Sequence, residues 1–179
     1  MPGDDIRMAE HDSSLEALLQ ASYRYAHALC AHAEMAEDLV HEGWLKVVAK
    51  YGSKPDKALL FRTIRNLFID DIRHKTKFPS DPIHEQMIPD ASSFDPSHYA
   101  SYDLVLAQGL SELRQQDREI LFLWVFEGYT AAEIGDLTEQ SRGTVLSQIH
   151  RAKGKLKTYL EQHGNQSLSV VKNSRNHSS

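Results

Sequence analysis

The chain has 179 residues, a net charge of −5, 41% hydrophobic residues and one cysteine, and no apolar run nears the roughly 18 residues that span a bilayer. That composition belongs to a globular protein of one ordinary domain or two small ones, and excludes disordered and membrane-spanning classes. Cys30 has no partner for an internal disulfide, no paired-cysteine metal motif occurs, and the acidic start MPGDDIRMAEHD is not a secretory signal, so the cytoplasm is the expected compartment.

The first half reads as three amphipathic helices. Leu15, Leu18, Leu19, Ser22, Ala26 and Leu29 recur at three-to-four spacing, with Ser13 or Ser14 as the expected N-cap. A second stripe runs Leu39, Val40, Gly43, Trp44, Val47, Val48, Tyr51, and the turn chemistry of YGSKPD ends it. A third runs Leu59, Leu60, Thr63, Ile64, Leu67, Phe68, Ile72, with Arg62, Arg65, Asn66, Asp70 and Arg73 off the apolar face. Together they predict a compact helical bundle over residues 1–76.

Residues 77–103 carry four of the six prolines, and between Thr76 and Asp103 one lysine stands against five acids. With no helical or strand period, this stretch reads as a flexible linker, extended or disordered when free. At about 3.3 Å per residue it could reach on the order of 90 Å, enough for the two domains it joins to sit well apart.

From residue 104 to 163 the pattern is helical again. Leu106, Leu110 and Leu113 form a short stripe, and Ile120, Leu121, Leu123, Trp124 and Phe126 a dense one that stops at Glu127-Gly128. Thr130-Ala-Ala-Glu133 has the form of a capping box, a threonine N-cap with its glutamate partner three residues on. It opens a very short helix ending near Leu137; after a turn, Ser141 caps a longer helix from Arg142 to about Leu160. Residues 164–179 read as a disordered tail. The fold class expected is therefore all-α: two small helical domains joined by a flexible linker, the second containing a helix-turn-helix.

The negative net charge is unusual for a DNA binder, yet five basic residues and no acids lie between Gln140 and Tyr159. A second, capped helix loaded with basic and small polar residues is the part of a helix-turn-helix that enters the major groove. Its first turns offer Arg142, Gly143, Thr144, Ser147 and Gln148: arginine can bond guanine bidentately, glutamine adenine, and the hydroxyls either bases or phosphates. Val145, Ile149 and Ala152 should face inward, onto Ile134 and Leu137. Arg151, Lys153, Lys155 and Lys157 suit phosphates, which position a protein without specifying sequence.

The stretch LSELRQQDREILFLWVFEGYTAAEIGDLTEQSRGTVLSQIHRAKGKL (Leu110–Leu156) resembles region 4 of bacterial sigma factors, with its EI, S-x-G-T-V and R-A-K signatures in order. AEDLVHEGWLKVVAKY (Ala36–Tyr51) resembles their region 2 polymerase-binding helix, and LFRTIRNLFIDDIRHK (Leu60–Lys75) their promoter-melting segment. The order of these pieces, and the lack of others, resembles the small extracytoplasmic-function (ECF) group. The resemblance implies a factor that binds core RNA polymerase and directs promoter recognition, DNA melting and initiation, restrained by an anti-sigma factor. It assigns Glu37, Asp38, Leu39, Val40, Glu42 and Lys46 to polymerase binding. It assigns Arg62, Arg65, Asn66, Asp70 and Arg73 to the −10 element, where flipped bases are held by hydrogen bonds and stacking. It assigns Arg142, Gly143, Thr144, Ser147, Gln148 and Arg151 to the −35 duplex. It also implies that the acidic linker threads the polymerase near the RNA path.

This chain departs from the family at several positions. Leu59 stands where a tryptophan is common, with Phe61 as an aromatic substitute and Phe68 assigned to the core. Basic residues usual at Leu146 and Gln148 are missing, and His41 replaces a common glutamine. His27 and His32 share no helix face, so no metal or cofactor site is expected. Cys30 lies on an apolar stripe and reads as a buried small hydrophobe. Trp44 and Trp124 are expected in the core or facing a partner. With no Gly-rich phosphate loop and no nucleophile constellation, neither an enzyme nor a small-molecule substrate is expected. The alternative on the residues alone is a helix-turn-helix regulator with a helical sensor domain; co-purification with core polymerase separates the two.

Overall fold

The computed structural model describes the backbone of residues 4–52, 55–77 and 104–174, with side chains over 14–52, 55–77 and 108–163. Residues 78–103, which hold nearly all of the expected linker, and 175–179 lie outside the described residues. The chain divides into two units, Met1–Pro89 and Asp90–Ser179. Every described element is helical, and the architecture is all-α with two helical clusters.

In the first unit α1 (Asp4–Cys30), α2 (Ala33–Tyr51) and α3 (Lys57–Lys77) each pack on the other two. Helix α1 starts at Asp4, so Ser13 and Ser14 lie inside it rather than capping it. The physical reason is visible in the sequence: no glycine or proline stands between Gly3 and Ala31, and Asp4 and Asp5 suit the positive end of a helix. Ala31 turns the chain with φ 52°, and His32 caps α2 through Nδ1, which accepts from the Met35 backbone N–H at 3.3 Å. Gly52, at φ 87°, closes α2 where the turn was expected; only glycine adopts that conformation without strain. Asp56 then caps α3 by accepting from the Leu59 N–H at 3.3 Å.

Tyr25, Ala26, Leu29, Leu39, Val47, Leu60, Phe61, Ile64 and Phe68 form the core of this unit. Tyr25 and Phe61 stack at 4.4 Å between centroids, 13° from parallel. At Gly43 a Cβ would come within 2.9 Å of Ile64 Cγ1, so α2 and α3 approach to a distance that a side chain would obstruct. Cys30 is buried as expected, its thiol donating to the His32 carbonyl at 3.2 Å.

The second unit holds α4 (Leu104–Ser111), α5 (Gln115–Leu121) continuing into a π-helical turn (Phe122–Phe126), α6 (Ala131–Thr138) and α7 (Arg142–Ser174). Helix α7 is the spine, packed by α4, α5 and α6. Leu110, Leu113, Leu121 and Ala152 form one core cluster, with Phe126 and Leu156 packed against it. The dense apolar run splits across the π turn: Phe122 and Leu123 are buried, while Trp124 and Val125 are at the surface. A run of seven apolar residues (Ile120–Phe126) is too wide for one buried face, and an i→i+5 turn, seen in Glu127 N donating to Phe122 O at 3.3 Å, reorients it. The backbone of α7 remains helical to Ser174, past the end expected near Leu160 and into the segment expected to be disordered; no proline interrupts it, and Gly164 is the one glycine after Leu160.

Candidate nucleic-acid interface

The α6–turn–α7 segment is built by local chemistry. Thr130 and Glu133 form the complete capping box: Glu133 N donates to Thr130 Oγ1 at 3.3 Å, and Thr130 N donates back to Glu133 Oε2 at 2.8 Å. The Thr130 backbone N–H, then its hydroxyl, holds the Glu133 carboxyl below its ordinary pKa of 4.5. Glu139, at φ 58°, ends α6 in the left-handed conformation, and Gln140 N bonds Gly135 O at 2.9 Å. A Cβ on Gly135 would sit 2.6 Å from Gln140 O, so the turn closes against bare backbone. Ser141 then caps α7, its Oγ accepting from Thr144 N at 3.1 Å and sharing a 2.8 Å hydrogen bond with Thr144 Oγ1.

Val145, Ile149 and Ala152 face inward as expected, joined in the core by Ile134 and Leu137 from α6. That fixes which face of α7 is left to solvent. Arg142, Gly143, Thr144, Ser147 and Arg151 are exposed, and Gln148 is half-buried with no partner for Oε1. Thr144 and Ser147 are engaged within the helix, Ser147 Oγ donating to Gly143 O at 3.0 Å. Two further residues belong to this face, both exposed: Leu146, noted in the sequence only for lacking the family's usual basic group, and His150, not singled out there. Their signal was available: His150 completes the outward spacing Gly143–Ser147–His150–Gly154, and Leu146 adjoins it one turn after Arg142.

The more distal cations differ from the expected row of phosphate ligands. Lys155 Nζ donates to Asp117 Oδ2 at 2.6 Å, and that carboxylate is 2% exposed and also receives Arg114 Nε at 3.3 Å. Lys153 Nζ lies 4.9 Å from the centroid of the Trp124 ring. Lys157 pairs with Glu161 at 3.7 Å. Lys155 is thereby tied to the domain, whereas Lys157 stays 77% exposed in a weak surface pair.

On α3, Arg62, Asn66, Asp70 and Arg73 are exposed and Arg65 is half-buried, while Leu60, Phe61, Ile64 and Phe68 point into the bundle. Phe61, expected as an aromatic substitute for the missing tryptophan, is completely buried against Tyr25 and cannot stack on a base. Its neighbour Leu60 lies on the same buried stripe, which carries Phe61 inward. Asp70 and Arg73 form an exposed pair at 3.7 Å.

On α2, Glu37, Asp38, Glu42 and Lys46 are exposed, Glu42 pairing with Lys46 at 2.8 Å, and Val40 is half-buried. Leu39 is only 6% exposed, so it supports this face from beneath. His41, noted in the sequence as replacing a common glutamine, and Leu45, not singled out there, join it at the surface; Leu45 is 55% exposed. Trp44 is half-buried and Trp124 reaches the surface. Among the described residues, no group of three or more His, Cys, Asp or Glu could hold a metal ion, and no helix is long and apolar enough to cross a membrane.

The second unit thus carries a capped helix-turn-helix, and the first a three-helix bundle with an acidic surface helix. Residues 15–78 match the family Sigma-70 region 2, and residues 104–156 match Sigma-70, region 4. Among curated relatives, the ECF RNA polymerase sigma factor SigE of Mycolicibacterium smegmatis is 28% identical over 171 residues, 92% of this chain and 66% of that one. SigL of Mycobacterium tuberculosis is 29% identical over 149 residues (79% and 84%), and SigM of Bacillus subtilis 27% over 151 (82% and 92%). Among solved structures, the sigma factor RpoE of Bartonella quintana, crystallised with the anti-sigma factor NepR, superposes with a TM-score of 0.68 at 26% identity, covering 85% of this chain and 97% of that one. The chain belongs to the sigma-70 family, in its ECF group. Its function is that of a sigma factor, directing RNA polymerase to promoters without catalysing a reaction. Because the first unit matches region 2, the sensor-domain alternative is set aside.

Proposed function

We propose that residues 1–76 and 104–163 act as separate domains, tethered by 77–103, in the cytoplasm. The first docks on core polymerase through the acidic surface of α2 (Glu37, Asp38, Glu42, with Val40 and Lys46 at its edges) and holds the opened −10 strand along Arg62, Arg65, Asn66, Asp70 and Arg73 of α3. The second reads the −35 duplex with Arg142, Gly143, Thr144, Ser147, Gln148 and Arg151. The mechanism is binding and positioning, with no small-molecule substrate. An anti-sigma factor restrains the chain, as the complex formed by the Bartonella quintana relative suggests.

The observation that supports this reading best is the division of each helix. Leu39, Gly43 and Val47 bury one side of α2 and leave Glu37, Asp38 and Glu42 outside; Val145, Ile149 and Ala152 do the same for α7. Charge reversal at Asp38 and Glu42 together should abolish association with core polymerase in a pull-down and abolish run-off transcription, with helicity by circular dichroism unchanged. Undiminished association would overturn the assignment of this surface.

A further inference from the structure

Leu146 is the large apolar side chain on the outward side of the first turns of α7, and it is 43% exposed. Its neighbours in sequence show that the helix had room to bury apolar groups: Val145 is fully buried and Ile149 is 7% exposed. Leu146 therefore is not a displaced core residue. It lies one turn after Arg142, on the edge of a face otherwise made of Gly143, Ser147, His150 and Gly154. Both glycines leave space: a Cβ on Gly143 would meet only Ser141 Oγ, at 3.9 Å, and one on Gly154 would meet nothing within 4 Å. Small residues there let the helix backbone come close to whatever it docks against, and beside them Leu146 protrudes.

In the major groove one base presents an apolar group, the C5 methyl of thymine, and apolar side chains are the groups that recognise it. A basic residue at this position would bond phosphate or guanine and gain nothing from a methyl group. We propose that Leu146 is a specificity-determining residue that packs on a thymine methyl in the −35 element, one helical turn from the base contacted by Arg142. The inference rests on the −35 reading of α7 given above.

The test uses holoenzyme assembled from core polymerase and the full chain. Selection on a promoter library randomised at −35 gives the preferred sequence. Each thymine in it is then replaced singly by deoxyuridine, which removes the methyl and keeps every hydrogen-bonding group. One such replacement should weaken wild-type binding about fourfold, the effect of one buried methyl. With Leu146→Ala the same replacement should have no effect, while the uracil and thymine promoters bind equally. As Leu146 is exposed, the variant should keep the wild-type circular dichroism; Leu146→Lys, also neutral to the fold, should likewise be blind to the methyl. Equal responses of wild type and Leu146→Ala to every uracil, or a preferred sequence without thymine, would overturn the proposal; so would an apolar partner protein on Leu146, which leaves uracil and thymine indistinguishable. Arg142→Ala separates the two levels. If it changes the selected sequence while uracil has no Leu146-dependent effect, this inference alone fails; if wild-type holoenzyme selects no −35 sequence, the reading beneath it fails as well.

Discussion

Lys155→Ala should destabilise the second unit far more than Lys157→Ala, although both lysines belong to one basic helix. Lys155 meets a carboxylate that is 2% exposed, at 2.6 Å, and is itself 47% exposed. A hydrogen bond between charged groups contributes about 1.5–3 kcal/mol, and breaking a fully buried pair costs about 3–5 kcal/mol because a charge is stranded. Two features reduce that figure: water reaches the lysine side, and Arg114 Nε remains 3.3 Å from the same oxygen. The expected loss is about 1.5–2 kcal/mol. By contrast, Lys157 and Glu161 are 77% and 65% exposed at 3.7 Å, a pair worth at most about 0.5 kcal/mol. For a unit of this size about 1 kcal/mol moves the melting temperature by roughly 4–8 °C, so Lys155→Ala should lower it by about 6–16 °C and Lys157→Ala by a few degrees at most. Thermal denaturation followed by fluorescence resolves the unit concerned, because in a Trp44→Phe background Trp124 is the sole tryptophan. A double-mutant cycle with Asp117→Asn should return a coupling of about 1–2 kcal/mol. Coupling near zero, or equal melting of the two lysine variants, would refute the assignment of Lys155 to the fold.

Gly135→Ala should destabilise the same unit by about 1–3 kcal/mol in the same melt, because the new Cβ would sit 2.6 Å from the Gln140 carbonyl oxygen and backbone there must move. Thr130→Ala should cost about 1 kcal/mol at neutral pH. Glu133 has a folded-state pKa below its ordinary 4.5, so its contribution is present above that value and is lost as pH falls through the folded value; the gap between wild type and Thr130→Ala in urea denaturation should therefore narrow below pH 4.5.

What the sequence disclosed was local or periodic. Thr130 and Glu133 are three residues apart and each names the other, and the cap at Ser141 followed from the same grammar. The inward set Val145, Ile149 and Ala152 followed from helical spacing. The Lys155–Asp117 contact joins residues 38 apart, and nothing in either residue type distinguishes that lysine from Lys153 or Lys157. Phe61 was misjudged because aromatic chemistry was weighed before helical phase: it adjoins Leu60 on the stripe that continues through Ile64 and Phe68. The start of α1 was placed at a good capping residue, but a cap ends a helix only where the chain before it leaves the helical path. Leu146 was legible only as a missing basic group and His150 not at all, because neither residue type announces a base contact; the helical face they share with Gly143 and Ser147 is what places them.

The engagement of the lysines of α7 bears on how the chain distributes itself among nucleic acids. Sequence-independent affinity for duplex grows with the number of phosphates neutralised, each adding about 0.9 to the slope of log affinity on log salt. With Lys155 held by Asp117 and Lys153 over Trp124, the outward cations of α7 among the described residues are Arg142, Arg151 and the weakly paired Lys157. So few free cations on this helix, on a chain of net charge −5, should give the unattached protein a shallow salt dependence and weak sequence-independent affinity for duplex. Competition for polymerase, rather than capture by random sequence, would then set how much of it reaches a promoter.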